Sequence, residues 1–173
     1  MAITKLTIQE FLQMAGQYPV LDVRSSCEFK HAHIPGANSM PLFSDEERKI
    51  VGTAYKQESR EKAIKIGLTF FGTKMVQMVE EAEKIVATFQ LQFVGKKSNS
   101  NPTAADKNII VHCWRGGMRS AGVAWLLDLY GFKVYTIVGG YKVYRKWALE
   151  QFEKQYPLCV IGGYTGSGKT GLL

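Results

Sequence analysis

The sequence predicts an α/β fold in which a mainly parallel sheet is flanked by helices. Short apolar runs typical of buried strands alternate with amphipathic stretches typical of helices. Glycine-rich turns separate several of these segments. Hydrophobic residues make up 46% of the 173 positions, and this proportion allows a domain of ordinary size to bury a core.

Capping boxes and the spacing of apolar residues predict four helices in the first half of the chain. These run from Thr7 to Gly16, from Asp45 toward Tyr55, onward from Ser59, and from Thr73 to Phe89. The apolar run at 20–24 predicts a buried strand. Pro35 and Gly36 indicate a turn within 33–37, because neither residue continues a helix.

The second half alternates strands and helices more regularly. After a polar segment at 95–108, which predicts an exposed loop, the pattern indicates three strands and two helices. The strands are expected at 109–111, 134–138 and 158–161, and the helices at 119–130 and 142–155. Gly131 is a natural helix C-cap, and Gly139 with Gly140 forms a turn. This alternation favours parallel strands.

Charge and cysteine content limit the class of protein. Lysine and arginine number 22 against 15 acidic residues, a formal charge of +7, which suits a polyanionic partner or is simply a basic surface. Cys27, Cys113 and Cys159 fit neither a disulfide framework nor a zinc site, so no metal is expected. Cys27 and Cys159 are interpreted as small buried or half-buried residues. With no signal peptide or membrane-spanning run, we expect a cytoplasmic protein.

The segment HCWRGGMRS at 112–120 carries the residues best suited to chemistry. Cys113 lies between a predicted strand and a predicted helix, where α/β folds bind ligands. The two glycines let the loop amides converge on an anion, and such a nest lowers the pKa of a cysteine thiol. Cys113 is therefore predicted to be a nucleophile. The predicted anion-binding residues are Trp114, Arg115, Gly116, Gly117, Met118 and Arg119.

Three interpretations of this loop stay open from the residues themselves. The spacing HC-x5-R followed by serine matches the cysteine phosphatases, in which a thiolate attacks phosphorus. It also resembles a rhodanese loop, in which the cysteine carries a persulfide and backbone amides hold the outer sulfur. A buried cysteine in a tight strand-to-helix turn is the third interpretation.

A second glycine-rich motif, GYTGSGKT at 163–170, fits the Walker A pattern and follows the apolar run LCVIG. In that pattern, backbone amides and the lysine hold phosphates, while the threonine faces a metal if one binds. The predicted phosphate-binding residues are Gly163, Gly168, Lys169 and Thr170. Because the sequence ends at Leu173, we expect 157–173 to be the truncated start of a P-loop domain that follows a first domain at 1–156.

Several motifs together resemble a known family. An N-terminal rhodanese pattern is matched by LDVRSSCEFKHAHIPGA. With PLFSDEERKIVGTAYKQESREKAIKIGL, CWRGGMRS and GGYKVYR, the chain resembles the tRNA 2-selenouridine synthases. The resemblance implies a rhodanese-like fold for 1–156, with Cys113 as the catalytic cysteine and with Asp22 and Arg24 supporting the active-site framework. Cys27, where rhodanese patterns often carry proline, and the loop at 95–108 depart from the pattern.

The resemblance also implies an activity, which is the replacement of sulfur by selenium in wobble 2-thiouridine of tRNA. The expected co-substrates are selenophosphate and, through an S-geranylated intermediate, geranyl diphosphate, with no tightly bound cofactor. The expected partners are tRNA and an enzyme that supplies selenophosphate, and Lys142 and Lys146 are candidate tRNA contacts. The alternatives are a stand-alone thiosulfate sulfurtransferase and a cysteine phosphatase.

Overall fold

Five strands and seven helices form the chain in a computed structural model that describes residues 3–93, 107–157, 162–168 and 171. The strands are β1 (Thr4–Leu6), β2 (Val20–Asp22), β3 (Asn38–Ser39), β4 (Asn108–His112) and β5 (Lys133–Ile137). The helices are α1 (Ile8–Met14), α2 (Ser26–His31), α3 (Asp45–Gln57), α4 (Arg60–Gly72), α5 (Met75–Phe93), α6 (Met118–Tyr130) and α7 (Gly140–Phe152).

The strands form one sheet in the order β1-β5-β4-β2-β3. All four pairings are parallel, which confirms the predicted parallel sheet. The central strand is β4, where Ile110 pairs with Val20 of β2 on one side and with Tyr135 of β5 on the other. Because β4 ends at His112, the residues that follow lie at the carboxyl edge of the sheet, where open α/β folds bind ligands.

The sheet is covered on both faces, as parallel sheets usually are. Successive residues of β4 point to opposite faces. Ile109 and Val111 belong to the larger core, which the buried side chains of α5 and α6 complete, whereas Ile110 belongs to a smaller core with Phe11 of α1 and Tyr141 of α7. The strand that leads into the candidate nucleophile is therefore packed against a hydrophobic core on each face.

Two predicted capping boxes are confirmed. The Thr7 amide donates to Glu10 Oε2 at 2.8 Å, and the Thr7 hydroxyl accepts from the Glu10 amide at 3.3 Å. Ser44 and Glu47 make the same exchange at 2.8 and 3.2 Å, so that α3 begins at Asp45 as predicted. These contacts satisfy amide groups that the first helical turn leaves without partners.

Three elements were missed by the sequence analysis, namely β1, α2 and β3. The edge strands β1 and β3 have three and two residues, too few to produce a periodic signal. Helix α2 does have a signal, because Ser25 and Glu28 have the spacing of a capping box, and the Ser25 amide donates to Glu28 Oε2 at 3.2 Å. The predicted loop at 95–108 and strand at 158–161 lie largely or wholly outside the described residues. No described helix is both long and apolar enough to cross a membrane.

Candidate active site

Cys113 is the first residue after β4, and residues 113–117 connect this strand to α6. Its side chain is buried, with only 3% of the residue exposed. The Gly117 amide donates to Cys113 Sγ at 3.3 Å, and the Ser120 hydroxyl lies 3.2 Å from the same sulfur. Ser120, which the sequence analysis did not assign to the site, reaches the sulfur because it lies in the first turn of α6.

These surroundings lower the pKa of the Cys113 thiol. Burial by itself raises the pKa, but the hydroxyl and amide of Ser120, the charge of Arg119 and the amide of Gly117 together outweigh that effect. Each of these groups favours the thiolate over the thiol. The reactive form of the cysteine is therefore favoured at this loop, in the direction that the loop sequence predicts.

Arg119 is held beside Cys113 by an ion pair with Glu28 of α2. Arg119 Nη1 donates to Glu28 Oε2 at 2.7 Å, and Arg48 Nε of α3 donates to the same oxygen at 3.0 Å. Burial raises the pKa of the Glu28 carboxyl, but the hydrogen bond and charge of Arg119 bring it below its usual value. Glu28 thus joins three helices next to the candidate nucleophile, and the sequence analysis missed it.

Replacing Arg119 by glutamine should raise the pKa of Cys113, because the variant removes a positive charge that favours the thiolate. The rate of Cys113 alkylation by iodoacetamide, measured against pH, reports this pKa. We expect the midpoint of the rate profile to move to higher pH in Arg119→Gln. The matched control is Arg115→Gln, because the exposed Arg115 makes no ion pair among the described residues. An unmoved midpoint in Arg119→Gln, or an equal movement in both variants, would contradict the assignment.

The first turn of α7 supports residues 113–117, called the cysteine loop below, through backbone hydrogen bonds. The Tyr141 amide donates to the Cys113 carbonyl at 2.9 Å, and the Lys142 amide donates to the Trp114 carbonyl at 3.0 Å. The first turn of α7 therefore fixes the backbone of the loop at two consecutive residues.

Two glycines allow these segments to come so close. Gly116 has φ +65° and Gly140 has φ +59°, values that favour glycine. A Cβ on Gly116 would lie 2.7 Å from the Ile137 carbonyl oxygen, and a Cβ on Gly140 would lie 2.3 Å from the Cys113 carbonyl oxygen. Gly117 differs, since its φ is −98° and a Cβ there would meet open space. Its contribution to the site is the amide, which other residues could also supply.

A buried ion pair between Asp22 and Arg24 lies against the first turn of α7. Asp22 and Arg24 are 0% and 1% exposed, and Arg24 Nε donates to Asp22 Oδ1 at 2.9 Å. Arg24 Nη2 also donates to the Ala32 carbonyl at 2.8 Å, and its guanidinium lies 4.0 Å from the centre of the Tyr141 ring. The pair therefore supports the residue that anchors the cysteine loop.

His112 is buried under the same residues. Its Nε2 lies 3.8 Å from Asp22 Oδ2. Burial is the main cause that lowers the pKa of His112 to about 4. A histidine with this pKa is neutral and a weak base at pH 7, so His112 is poorly suited to act as a general base.

A cleft of about 560 Å³ opens over Cys113 between the cysteine loop and α3. Five cationic residues line it, and no aspartate or glutamate is among the described residues that do so. These cations are Arg48, Lys49, Lys56, Arg115 and Arg119. Its volume is that of a site for an organic ligand, larger than a small inorganic anion requires.

Two other predicted features have different outcomes. The expectation that Cys27 is buried or half-buried is wrong, because its side chain is exposed at the start of α2. Asp45 raises the pKa of the Cys27 thiol, so the thiolate is disfavoured there. In the Walker-type segment, Gly163 and Gly168 are exposed. Cys159, Lys169 and Thr170 lie outside the described residues, so phosphate binding there stays a prediction.

Comparison with known proteins places the chain among relatives of one kind. Residues 7–146 match the rhodanese-like domain family. A tRNA 2-selenouridine synthase from Bordetella bronchiseptica is 35% identical over 91% of this chain, and one from Nitrosomonas europaea is 39% identical over 90%. The aligned regions cover 40% and 37% of those proteins, so this chain spans about two fifths of the length of these curated relatives.

A solved structure also matches closely. It is the N-terminal domain of a protein from Clostridium difficile 630 that is named for ATP/GTP binding. The TM-score is 0.68 at 32% sequence identity, and the match covers 84% of this chain and 99% of that chain.

Proposed function

The chain belongs to the rhodanese-like domain family, and we propose that Cys113 carries a sulfur or selenium atom during the modification of tRNA. The observation that carries the proposal is a thiol with a lowered pKa that lines a cationic cleft. The relatives named tRNA 2-selenouridine synthases support tRNA as the acceptor. The net charge of +7 is suited to tRNA, because the phosphate backbone of tRNA is negatively charged.

The loading step follows from the site. The Cys113 thiolate attacks the outer sulfur of a donor such as thiosulfate and forms a new S–S bond. The S–S bond of the donor breaks, and sulfite leaves with its electron pair. Cys113 is left as a persulfide anion. The Gly117 amide, which already donates to Sγ, and the Ser120 hydroxyl would stabilise the transferred atom.

We extend the proposal to selenium, with selenophosphate as donor. Its selenium attacks Sγ of the Cys113 persulfide and forms an S–Se bond, while the S–S bond breaks and sulfide leaves with the electron pair. Water then cleaves the Se–P bond, which releases phosphate and leaves a perselenide on Cys113. Arg115 is exposed and makes no ion pair among the described residues, so it is available to meet the incoming anion, whereas Glu28 already holds Arg119.

Lys142 and Lys146 are exposed on α7 and remain candidate tRNA contacts, although Lys146 also lies 3.6 Å from Glu150.

The proposal includes a second domain that begins at 157–173. The resemblance of GYTGSGKT to a Walker A motif supports it. The Clostridium match supports it too, because that structure is an N-terminal domain of a protein named for ATP/GTP binding. In the longer protein, Gly163, Gly168, Lys169 and Thr170 would hold the diphosphate of a prenyl donor such as geranyl diphosphate.

A cysteine phosphatase is the weaker alternative. Such enzymes need a general acid to protonate the leaving oxygen. Among the described residues, no carboxylate lines the cleft over Cys113. A cleft of this charge is suited to a phosphate ester, but the described residues that line it include no side-chain carboxylic acid for its hydrolysis, which favours transfer of sulfur or selenium.

Incubation with thiosulfate should add one sulfur atom to the chain, and selenophosphate added afterwards should replace that sulfur by one selenium atom. Intact-mass spectrometry measures the adduct, and Cys113→Ser should show none. The control is Cys27→Ser, which should load as well as the unaltered protein because Cys27 is exposed and its thiol is disfavoured for ionisation. No adduct, together with turnover of an aryl phosphate that requires Cys113, would show that the loop serves phosphate chemistry.

A further inference from the structure

Helix α3 presents one face to the cleft over Cys113. Gly52, Tyr55 and Lys56 line the cleft, and their spacing of three and four residues puts them on one side of the helix. Ala54 points the other way and is buried. The Tyr55 residue is 53% exposed, so a large aromatic surface is available on the same cleft as the nucleophile.

Gly52 has no explanation within the chain. A glycine inside a helix destabilises it relative to alanine. A Cβ at Gly52 would meet no atom within 4 Å, and the backbone there has ordinary helical geometry. Neither packing nor conformation requires a glycine at this position. A side chain would instead project toward the cleft, so the missing side chain leaves room for a group from outside the chain.

The charged side chains beside the α3 face of the cleft complement a polyanion. Lys49 and Lys56 of α3 make no ion pair among the described residues, and Arg115 on the opposite side of the cleft makes none either. These cations lie on both sides of the cleft. This distribution suits a chain of phosphates that passes across the site better than it suits a single anionic head group.

We propose, on the basis of the proposed function, that α3 is the wall that receives the target nucleotide. An unpaired pyrimidine enters beside Gly52 and stacks on Tyr55, with its C2 edge toward Cys113, while Lys49 and Lys56 hold the flanking phosphates. Unpaired bases that stack on aromatic side chains are the usual form of single-stranded RNA recognition. Tyr55 is thus a binding residue and Gly52 a residue that keeps the entrance open.

The test is binding of a short, labelled single-stranded RNA with a central 2-thiouridine, followed by fluorescence anisotropy. Tyr55→Ala should raise the Kd by about fivefold or more, the usual effect of losing one base–aromatic stack, and Tyr55→Phe should retain binding. Gly52→Leu should weaken binding at least as much without lowering the unfolding midpoint, because leucine favours the helix. Lys56→Ala should lower the slope of log K against log salt by about one.

Matched controls come from equally exposed residues elsewhere. Tyr156→Ala, at a residue 55% exposed after α7, and Lys5→Ala in β1 should bind RNA as the unaltered chain does. Equal binding by the unaltered chain, Tyr55→Ala and Gly52→Leu would overturn the inference. So would loss of geranyl diphosphate binding in Gly52→Leu with RNA binding intact, because the cleft would then be a prenyl site.

Loading of Cys113 separates this inference from the proposed function. Thiosulfate is small, so the Tyr55 and Gly52 variants, which keep every cation of the cleft, should acquire one sulfur as readily as the unaltered chain. Normal loading with unaltered RNA binding in the α3 variants would refute the inference alone. Absence of loading in the unaltered chain would refute the proposed function, whatever the RNA data show.

Discussion

Replacing Arg24 by methionine should lower the free energy of unfolding by about 3–5 kcal/mol, the range for removing one partner of a buried ion pair. The variant leaves the Asp22 carboxylate in a fully buried place without Arg24 Nε and Nη2, which now donate to its Oδ1 at 2.9 Å and to its Oδ2 at 2.5 Å. It also removes the cation over the Tyr141 ring, the residue whose amide anchors the Cys113 carbonyl. Urea unfolding followed by circular dichroism measures the change.

A double variant distinguishes an unpaired charge from lost volume. Arg24→Met with Asp22→Leu removes both charges and keeps apolar bulk, and such replacements are often close to neutral. We therefore expect the double variant to be more stable than Arg24→Met alone. If the double variant is the less stable of the two, then packing and not charge accounts for the loss.

Replacing Gly140 by alanine should destabilise the protein by about 3 kcal/mol or more, the sum of a left-handed backbone and a steric overlap. The new Cβ would lie 2.3 Å from the Cys113 carbonyl oxygen and 2.6 Å from the Gly116 amide nitrogen. Both atoms belong to backbone that cannot rotate away as a side chain would. The cysteine loop must therefore move, and the alkylation profile of Cys113 should move to higher pH as Sγ loses its donors.

Gly36→Ala is the matched control for this variant. Gly36 also has a positive φ, +77°, but a Cβ there would meet no atom within 4 Å. The Gly36→Ala variant should lower the free energy of unfolding only by the cost of the left-handed backbone, about 1–2 kcal/mol. The alkylation profile of Cys113 should stay unaltered. If urea unfolding shows equal decreases in the free energy of unfolding for the two variants, the contact between Gly140 and the cysteine loop adds nothing to the stability.

The fold was predictable from the sequence wherever the signal is local. The capping boxes at Thr7 and Ser44 correctly predicted the starts of α1 and α3, since the cap and its partner are three residues apart. The apolar spacing of 73–89 predicted α5 within four residues at either end. The edge strands β1 and β3 could not be predicted, because they form only when neighbouring strands offer their hydrogen-bonding groups.

The site divides in the same way. The lowered pKa of Cys113 was predictable, because Gly117 and Ser120 are close neighbours in sequence and reach the sulfur through the start of one helix. Glu28 was not predictable as a member of the site. It lies 91 residues from Arg119 along the chain, and only the packing of α2 beside α6 brings the two together.

By itself, the sequence determined the order of the main elements, the parallel sheet and a candidate nucleophile at the carboxyl edge of that sheet. Periodicity, caps and glycine-rich turns act within a turn or two of the chain, so they can be read without knowing the fold. The tertiary structure alone decided that Gly140 lies against the cysteine loop, that Glu28 holds Arg119, and that α3 forms the second wall of the cleft. These are contacts between elements distant in sequence, and their geometry depends on how the helices pack on the sheet.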